Sequence, residues 1–597
     1  MKIKFIITYF VVVVSLLSCN GGLKYSSVYD EFADKGQYNI PEQKFGKNYW
    51  VLSPTKSQGE EALVDNLLAE SIVGLTSLAV NENRGETMVW MAVEGGVETT
   101  YKRIQESLPM NNLGEKDLWS LLCDESIKSI INGYVLYDLS NHESVNAATV
   151  AAHVYNGLLV EKRYESKVKS LGYKCLFDAS KMSLKDAWLQ FKDKCKNNAL
   201  VLMPAYTSNQ RSTAIAFRLF TVNLNKVSYK PEYGNNKELL IEIMKWLEPL
   251  SPVFGWEQSV GEDSFVSLVS ATGNLMVPFD WTVNTPLMSA QYKSRQSGLA
   301  QVTDPTKINY GDADHYVTFY MSDGDNVQWM INAFDNPSYY SSSKISKTKM
   351  TFGYPVANMS MICPAQNEYL LGKQNPESTI MESLGGGYYY ADEFAMLKDR
   401  SVILDKVSKH VAAHMRQHRN NVLALVCMDV DSEASKEAYQ SFITNNDELI
   451  GIVVIQYTPY AGGEGEIMWF KNSNGIHIPV VTVRYSIWNY GEGRNGENEG
   501  TPAYIASKYN ELASSSSKKT FSATSVHAWS SFTKIDNDTD LTGENAKGGN
   551  VHGVEAAEFC QDRLDKKIKV VNAEELIWQL RMYTYPEETK NVIKKYK

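Results

Sequence analysis

A short acidic segment at the end of an apolar run could carry hydrolytic chemistry. Residues 316–321 are predicted to form a β-strand, and the sequence DGDN comes just after it, at Asp323, Gly324, Asp325 and Asn326. Two carboxylates separated by one glycine can hold a hard cation, bind sugar hydroxyls, or divide the roles of acid and base when their surroundings separate their pKa values. A plain Asp-Gly-Asp-Asn turn is the structural alternative.

A glycine-tyrosine segment is the second candidate. Three glycines at 385–387 are followed by three tyrosines at 388–390, then by Ala391, Asp392 and Glu393. Glycines permit close backbone approach, and tyrosine rings offer apolar faces with polar edges, so this loop is a candidate sugar platform. The two acidic residues are candidate catalytic carboxylates. They are also predicted to open a helix at 394–418, where the helix dipole favours negative charge.

Other chemically useful side chains follow predicted strands nearer the C-terminus. In a barrel, residues at the ends of strands face the mouth, so a carboxylate, an arginine and aromatic rings could meet there. His527 could bind a leaving group and Trp529 could stack on a sugar ring, although a core histidine beside a packed tryptophan is the plain alternative. The residues at these strand ends are Asp429, Tyr457, Arg484, His527 and Trp529.

The chain that must position these residues is long enough for more than one domain, at 597 residues. Strand-like and helical stretches alternate throughout, which predicts parallel β-α units. We expect an α/β protein with an N-terminal α/β domain over 48–295, in which 265–269 is a strand, and a C-terminal domain over 300–597. The second domain should be a distorted (β/α) barrel or, alternatively, an open doubly wound sheet. Its predicted strands are 316–321, 350–355, 422–428, 450–456, 478–484, 523–526 and 568–571.

The N-terminus predicts export. Lys2 and Lys4 precede an apolar run that ends at Leu17, and Cys19 follows in a Leu-Leu-Ser-Cys context. This pattern is that of a signal peptide with a lipobox over 1–19, followed by a polar tether over 20–47. We therefore expect a protein anchored by lipid at Cys19 in a bacterial cell envelope, facing the periplasm or the exterior. An ordinary signal peptide with an incidental cysteine is the alternative.

The net charge and the spacing of histidines and cysteines limit which ligands the protein is expected to bind. The formal net charge of −10, without a Lys/Arg-rich run, argues against nucleic acid and leaves a glycan as the expected partner. His410, His414 and His418 have a spacing that can hold a metal, but Arg416 and Arg419 beside them predict a solvated helix edge. The cysteines show no CxxC spacing. We expect neither a metal nor a cofactor.

The glycine-tyrosine segment also resembles the signature of the GxGYxYP family, glycoside hydrolase-like lipoproteins of bacterial polysaccharide-use loci. Gly385, Gly387, Tyr388 and Tyr390 match it, and Ala391 replaces its closing proline. The resemblance implies a family-specific N-terminal α/β domain followed by a hydrolase-like domain, without a defined substrate. Further similar stretches are Asn284 in FDWTVN, the DGDN turn, Arg484 in VTVR and the sequence VHAWS at 526–530.

The leading hypothesis is a hydrolase of glycosidic bonds that uses a pair of carboxylates. The pair would be drawn from Asp323, Asp325, Asp392, Glu393 and Asp429. A metal-dependent carbohydrate deacetylase with His527 as ligand or base, and a non-catalytic glycan-binding lipoprotein, are the alternatives. The expected substrate-binding residues are Asn326, Gly387, Tyr388, Tyr390, Tyr457, Arg484, His527 and Trp529.

Overall fold

A computed structural model describes most of the chain after Ile40. The predicted signal peptide with Cys19, and the acidic turn with Asp323, Asp325 and Asn326, lie outside the described residues. The described ranges are 40–227, 230–257, 260–290, 303–322, 327–457, 460–488, 496–534 and 551–596.

The N-terminal half contains three small parallel sheets, so the predicted alternation of strands and helices is confirmed there. The strands are β1 (Asn48–Leu52), β2 (Thr87–Met91), β3 (Asn111–Lys116), β4 (Gly133–Tyr137), β5 (Gly157–Glu161), β6 (Cys175–Asp178), β7 (Lys196–Leu202), β8 (Leu219–Val222), β9 (Pro252–Gly255) and β10 (Leu275–Pro278). The orders of the sheets are β2-β1-β3, β5-β4-β6 and β10-β9-β7-β8.

Helices cover these sheets and supply much of their apolar core. They are α1 (Gly59–Asn81), α2 (Glu98–Glu106), α3 (Leu118–Leu122), α4 (Glu125–Lys128), α5 (His142–Tyr155), α6 (Glu165–Ser170), α7 (Leu184–Phe191), α8 (Arg211–Phe217), α9 (Lys237–Trp246), α10 (Glu262–Ala271) and α11 (Thr285–Ser289). By length and composition α1 could cross a membrane, but 89% of its most apolar stretch is buried inside the protein. It is therefore a core helix.

The predicted strand at 265–269 is wrong, because these residues belong to α10. Phe265, Val266 and Val269 are buried while Ser267 and Leu268 are only partly buried. Burial at i, i+1 and i+4 is the pattern of one helix face, not of a strand.

Seven parallel strands of the C-terminal half close into a barrel. The ring order is β11-β12-β13-β14-β15-β17-β19, and β19 pairs back with β11, which confirms the barrel over the open sheet. The strands here are β11 (His315–Ser322), β12 (Met350–Tyr354), β13 (Ser378–Ser383), β14 (Val422–Cys427), β15 (Gly451–Gln456), β16 (Ile467–Lys471), β17 (His477–Ile487), β18 (Glu499–Gly500), β19 (Thr520–His527), β20 (Ser531–Phe532), β21 (Val551–His552) and β22 (Ile568–Val570).

One member of the predicted set of seven differs. β13 completes the ring and was not predicted. β22 was predicted as a barrel strand, but in the described part of the chain it pairs only with residues 315–317 of β11, outside the ring. The N-terminal end of the barrel is covered by a helix that begins at Ala573, whose N–H donates to the Thr351 hydroxyl at 2.9 Å.

The helices of this half are α12 (Val327–Asn332), α13 (Val356–Ile362), α14 (Pro364–Gly372), α15 (Arg400–Gln417), α16 (Glu433–Asn445), α17 (Pro502–Ser515), α18 (Val554–Gln561), α19 (Ala573–Thr584) and α20 (Pro586–Ile593). α15 begins at Arg400, where Asp399 caps it by accepting the N–H of Val402. The prediction that Asp392 and Glu393 open this helix is therefore wrong.

The histidine row on α15 is buried, so the predicted solvated edge is also wrong. His410, His414 and His418 are at most 1% exposed, and Nδ1 of His414 lies 3.3 Å from the hydroxyl of Ser360 on α13. Burial lowers the pKa of each imidazole below its ordinary value, which keeps the rings neutral. Among the described residues, no cluster of His, Cys, Asp and Glu could hold a metal ion.

Candidate functional site

Hydroxyl groups line the barrel lumen beneath its C-terminal mouth. The side chain of Tyr320 on β11 lies across Gly353 of β12, where a Cβ atom would be 2.6 Å from the tyrosine ring. The Tyr320 hydroxyl forms hydrogen bonds with Ser322 and with Ser383 on β13. Since β12 lies between the two strands, this contact passes over β12 at Gly353.

Two further hydroxyls belong to the same layer. Ser486 on β17 is in register with Ser525 on β19, which is in register with Tyr320, so the three side chains share one face. The hydroxyls of Ser486 and Ser525 are buried and have no hydrogen-bond partner among the described residues. Because a buried polar group without a partner costs free energy, this layer is suited to hold water or the hydroxyls of a ligand.

Aromatic rings follow one side of the mouth in an unbroken series, here named the aromatic belt. Its ring centroids are 5.1 Å apart from Tyr390 to Tyr457, 6.1 Å from Tyr457 to Tyr460, 4.5 Å from Tyr460 to Trp488 and 4.8 Å from Trp488 to His527. Tyr457, Trp488 and His527 stand at the C-terminal ends of β15, β17 and β19. The predicted residues Tyr390, Tyr457 and His527 are thus brought together.

His527 enters the belt as a neutral ring. Its Nδ1 lies 2.9 Å from the Ser530 hydroxyl, and burial lowers its pKa to about 4. At neutral pH the uncharged imidazole can therefore donate one hydrogen bond and accept another.

The glycine-tyrosine segment joins the third N-terminal sheet to the barrel. The N–H of Tyr388 donates to the Met276 carbonyl of β10 at 2.8 Å, and the N–H of Ala391 donates to the Val426 carbonyl of β14 at 2.8 Å. At Gly387 a Cβ atom would lie only 2.6 Å from the Leu275 Cβ atom. The predicted close approach is real, and its partner is β10.

The tyrosines of this segment are buried in that junction. The Tyr388 ring stacks on Trp256 at 6.2 Å with an interplanar angle of 8°, and its hydroxyl donates to the Glu262 carboxylate. Tyr390 is 0% exposed and lies between Tyr388 and Tyr457. The structure therefore places Tyr388 in the interface between the third sheet and the barrel, and Tyr390 at the buried end of the aromatic belt.

The three described carboxylate candidates have separate environments. Asp392 is buried, and its two oxygens accept the N–H groups of Met428 at 3.0 Å and Asp429 at 2.8 Å; burial raises its pKa. Glu393 is partly buried, hydrogen-bonds Ser267 of α10, and has a pKa raised by burial. Asp429 is exposed and accepts the N–H of Asp431 at 3.0 Å.

The Arg484 side chain anchors a loop. Its Nε donates to the Ser522 hydroxyl at 3.0 Å and its Nη2 to the Gly465 carbonyl at 3.3 Å, which fixes the loop after β15.

A pair of carboxyl groups lies close to this loop. Glu466 belongs to the loop, whereas Asp431 follows β14. The negative charge of Asp431 raises the pKa of Glu466, and the two carboxyl groups share a hydrogen bond. The sequence does not indicate this pairing, since the two residues follow different strands.

Two exposed tryptophans meet at the rim beyond His527. Trp529 is 44% exposed and Trp281 is 55% exposed, and their ring centroids are 6.4 Å apart at an interplanar angle of 67°. Trp281 follows β10 and was not predicted as a site residue. Its position just after the end of β10 was the one feature that could have suggested a site residue. Its contact with Trp529 joins distant parts of the chain, so local sequence does not predict it.

Comparisons with known proteins agree with this architecture. Sequence models match at 131–195 ("GxGYxYP_N second domain"), 200–290 ("GxGYxYP third domain") and 313–576 ("GxGYxYP putative glycoside hydrolase C-terminal domain"). No curated protein matches the chain. A crystal structure described as "a putative hydrolase from Bacteroides thetaiotaomicron VPI-5482" is similar, with 18% identity and a TM-score of 0.73, over 91% of this chain and 96% of that one. At this identity the likeness shows the fold alone.

Proposed function

The chain belongs to the GxGYxYP family, and from this premise we propose that it is a carbohydrate-active hydrolase that cleaves glycosidic bonds at the mouth of its barrel. The observation that carries the proposal is the aromatic belt above a layer of lumen hydroxyls. Ligands of closed parallel barrels bind at the C-terminal ends of the strands, and the belt stands at those ends.

Both layers suit a sugar. The faces of aromatic rings pack against the apolar C–H faces of pyranoses, while ring edges and hydroxyls bond the sugar hydroxyls. Ser486 and Ser525, which have buried hydroxyls without a described partner, would gain hydrogen bonds from a ligand in the lumen. A ligand with apolar faces and a dense set of hydroxyls matches this combination.

For the carboxylate pair we propose Asp323 and Asp325. In the sequence they come just after Ser322, the last residue of β11. Asp392 takes a supporting part, because both of its oxygens are already bonded to backbone N–H groups. A separation of about 5 Å between the two carboxyl groups would give retention of configuration, and about 6.5–9.5 Å would give inversion.

The test is product release from a panel of oligosaccharides and polysaccharides by the purified protein, followed by chromatography and mass spectrometry. We expect free sugars from at least one glycan. Asp323→Asn and Asp325→Asn should each lower kcat by about 100-fold or more, the usual contribution of a general acid or base. Asp562→Asn is the matched control, because Asp562 is exposed at the end of α18.

Other outcomes would contradict the proposal in distinct ways. Acetate release that a chelator abolishes would favour the deacetylase. Glycan binding without any product would favour a non-catalytic glycan-binding protein. Full activity in both aspartate variants would show that Asp323 and Asp325 are not the catalytic pair, although the glycosidase activity itself would stand.

We also propose that a lipid on Cys19 anchors the protein to a membrane of a bacterial cell envelope. We further propose that the protein binds no nucleic acid. The lipobox-like sequence before Cys19 supports this placement. Metabolic labelling with a fatty acid should mark the wild type and spare Cys19→Ser. Equal labelling of both would contradict the anchor.

A further inference from the structure

We infer that Trp281 and Trp529 together form a pyranose-binding subsite at the rim of the barrel, so that the third N-terminal sheet supplies part of the glycan site. This inference deepens the proposed function and rests on it. The two rings come from distant parts of the chain: Trp281 follows β10, and Trp529 follows β19.

The geometry suits one sugar ring. The indole planes meet at 67° with centroids 6.4 Å apart, which forms a corner of two apolar faces. Each residue keeps about half of its surface exposed, 55% for Trp281 and 44% for Trp529. A pyranose can lay its C–H face on one indole and place an edge against the other, whereas its equatorial hydroxyls remain in water.

The corner is held in place from behind. The backbone N–H of Trp281 donates to the Gln328 side chain of α12 at 3.0 Å. Behind Trp529 lie the buried Trp329 at 6.0 Å and Tyr339 at 6.3 Å. Rigid aromatic contacts of this kind bind with little loss of conformational entropy, so the exposed faces are pre-arranged for a ligand.

The corner also continues the aromatic belt. Trp529 lies two residues beyond His527, the last ring of the belt. In the turn between them the N–H of Ala528 donates to the Ser322 carbonyl at 3.2 Å, which places the turn over the end of β11. A glycan with one unit over the lumen would therefore extend along the rim toward Trp281.

The contrast with other exposed aromatic residues supports a ligand. Tyr233 and Tyr583 are 61% and 52% exposed, and neither ring is paired with a second exposed aromatic ring in the described structure. Scattered exposed rings are ordinary surface features, whereas two exposed indoles in contact at a barrel mouth indicate a recognition surface.

The experiment is titration of the full protein with hexasaccharides of glucose, xylose and mannose in α and β linkages, followed by tryptophan fluorescence and calorimetry. We expect the wild type to bind at least one of them. Trp281→Ala and Trp529→Ala should each weaken binding by about tenfold or more, the effect of truncating a stacked aromatic anchor. Tyr233→Ala, which removes an exposed ring from the same N-terminal region, should leave the affinity unchanged.

Folding is checked first, because a misfolded variant would also lose binding. Trp281→Phe and Trp529→Phe keep a ring and should restore most of the affinity. Wild-type affinity in Trp281→Ala, or no binding of any hexasaccharide by the wild type, would overturn the inference. If both alanine variants hydrolyse the glycan with an unchanged KM, the proposed subsite would be wrong and the proposed hydrolase activity would stand. Binding weakened by both variants without any hydrolysis would leave the subsite and remove the hydrolase.

Discussion

The carboxylate of Asp392 accepts the backbone N–H of Asp429 at 2.8 Å, between the loop after β13 and the end of β14. Its other oxygen accepts the N–H of Met428 at 3.0 Å. The parallel bridge between Tyr390 and Val426 ends just before these bonds, so Asp392 fixes the point at which the glycine-tyrosine segment leaves the barrel. This is a structural task for a carboxylate that the sequence presented as a catalytic candidate.

Replacing Asp392 with Asn should therefore destabilise the fold. An amide has one accepting oxygen, and its NH₂ group would face an N–H donor, so one buried hydrogen bond is lost. We expect the free energy of unfolding to fall by about 1–3 kcal/mol, measured by urea denaturation. Asp429→Asn is the control, since Asp429 is exposed and an asparagine can accept the Asp431 N–H equally well. Unchanged stability together with lost activity in Asp392→Asn would instead make Asp392 catalytic.

Gly387→Ala should weaken the junction between the third sheet and the barrel. The new Cβ atom would lie 2.6 Å from the Leu275 Cβ atom, so the backbones must separate. We expect a loss of about 1–3 kcal/mol in unfolding free energy, the usual cost of overpacking. Gly372→Ala is the matched control, because its Cβ atom would have no described atom within 4 Å at the end of α14. Equal thermal stability of the two variants would contradict this account of the close approach between Gly387 and Leu275.

Local patterning predicted most of the barrel, and its exception has a physical cause. β13 has the sequence STIMES, in which Ser378, Thr379, Glu382 and Ser383 are all buried. Such a segment does not look like a barrel strand, because its polar groups find partners only after folding. Glu382 accepts the N–H of Ala357 at the start of α13, and the Thr379 hydroxyl hydrogen-bonds the hydroxyl of Thr351, its neighbour on β12. β22 shows the converse, an apolar segment left outside the ring.

The site could be predicted only in part for a related reason. Strand-end position predicted that Tyr457, His527 and Trp529 lie at the mouth, where the ends of the barrel strands meet. The burial of Tyr388 and the exposure of Trp281 depend on how the third sheet packs against the barrel. A tyrosine or tryptophan suits either environment, so the sequence holds no local signal for that choice.

Tyr388→Phe should loosen that packing without unfolding the protein. The phenyl ring keeps its stacking on Trp256, but the hydrogen bond to the Glu262 carboxylate is lost. Hydrogen bonds to charged groups contribute about 1.5–3 kcal/mol, so faster hydrogen exchange is expected in α10 and in residues 385–391. Tyr233→Phe, at an exposed position, should leave exchange unchanged. Exchange at the wild-type rate in Tyr388→Phe would show that backbone pairing alone holds the junction.

The buried histidines of α15 should make stability depend on pH. Burial lowers the pKa of His418 to about 4, below its ordinary 6.5. The stability gained from a neutral folded ring is therefore complete above pH 6.5 and is lost as the pH falls from 6.5 toward 4. At about pH 5 this one residue should cost about 2 kcal/mol relative to neutral pH.

His418→Asn isolates that contribution. Nδ1 of His418 lies 2.9 Å from the His414 carbonyl, and an asparagine amide can donate to the same oxygen without titrating. The variant should lose less stability than the wild type between pH 7 and pH 5, by about 2 kcal/mol in urea denaturation at the two pH values. His410 and His414, buried on the same helix, still titrate in both proteins, so some acid sensitivity should remain. If the two proteins lost stability in parallel, His418 would have to be charged, or exposed, in the folded state.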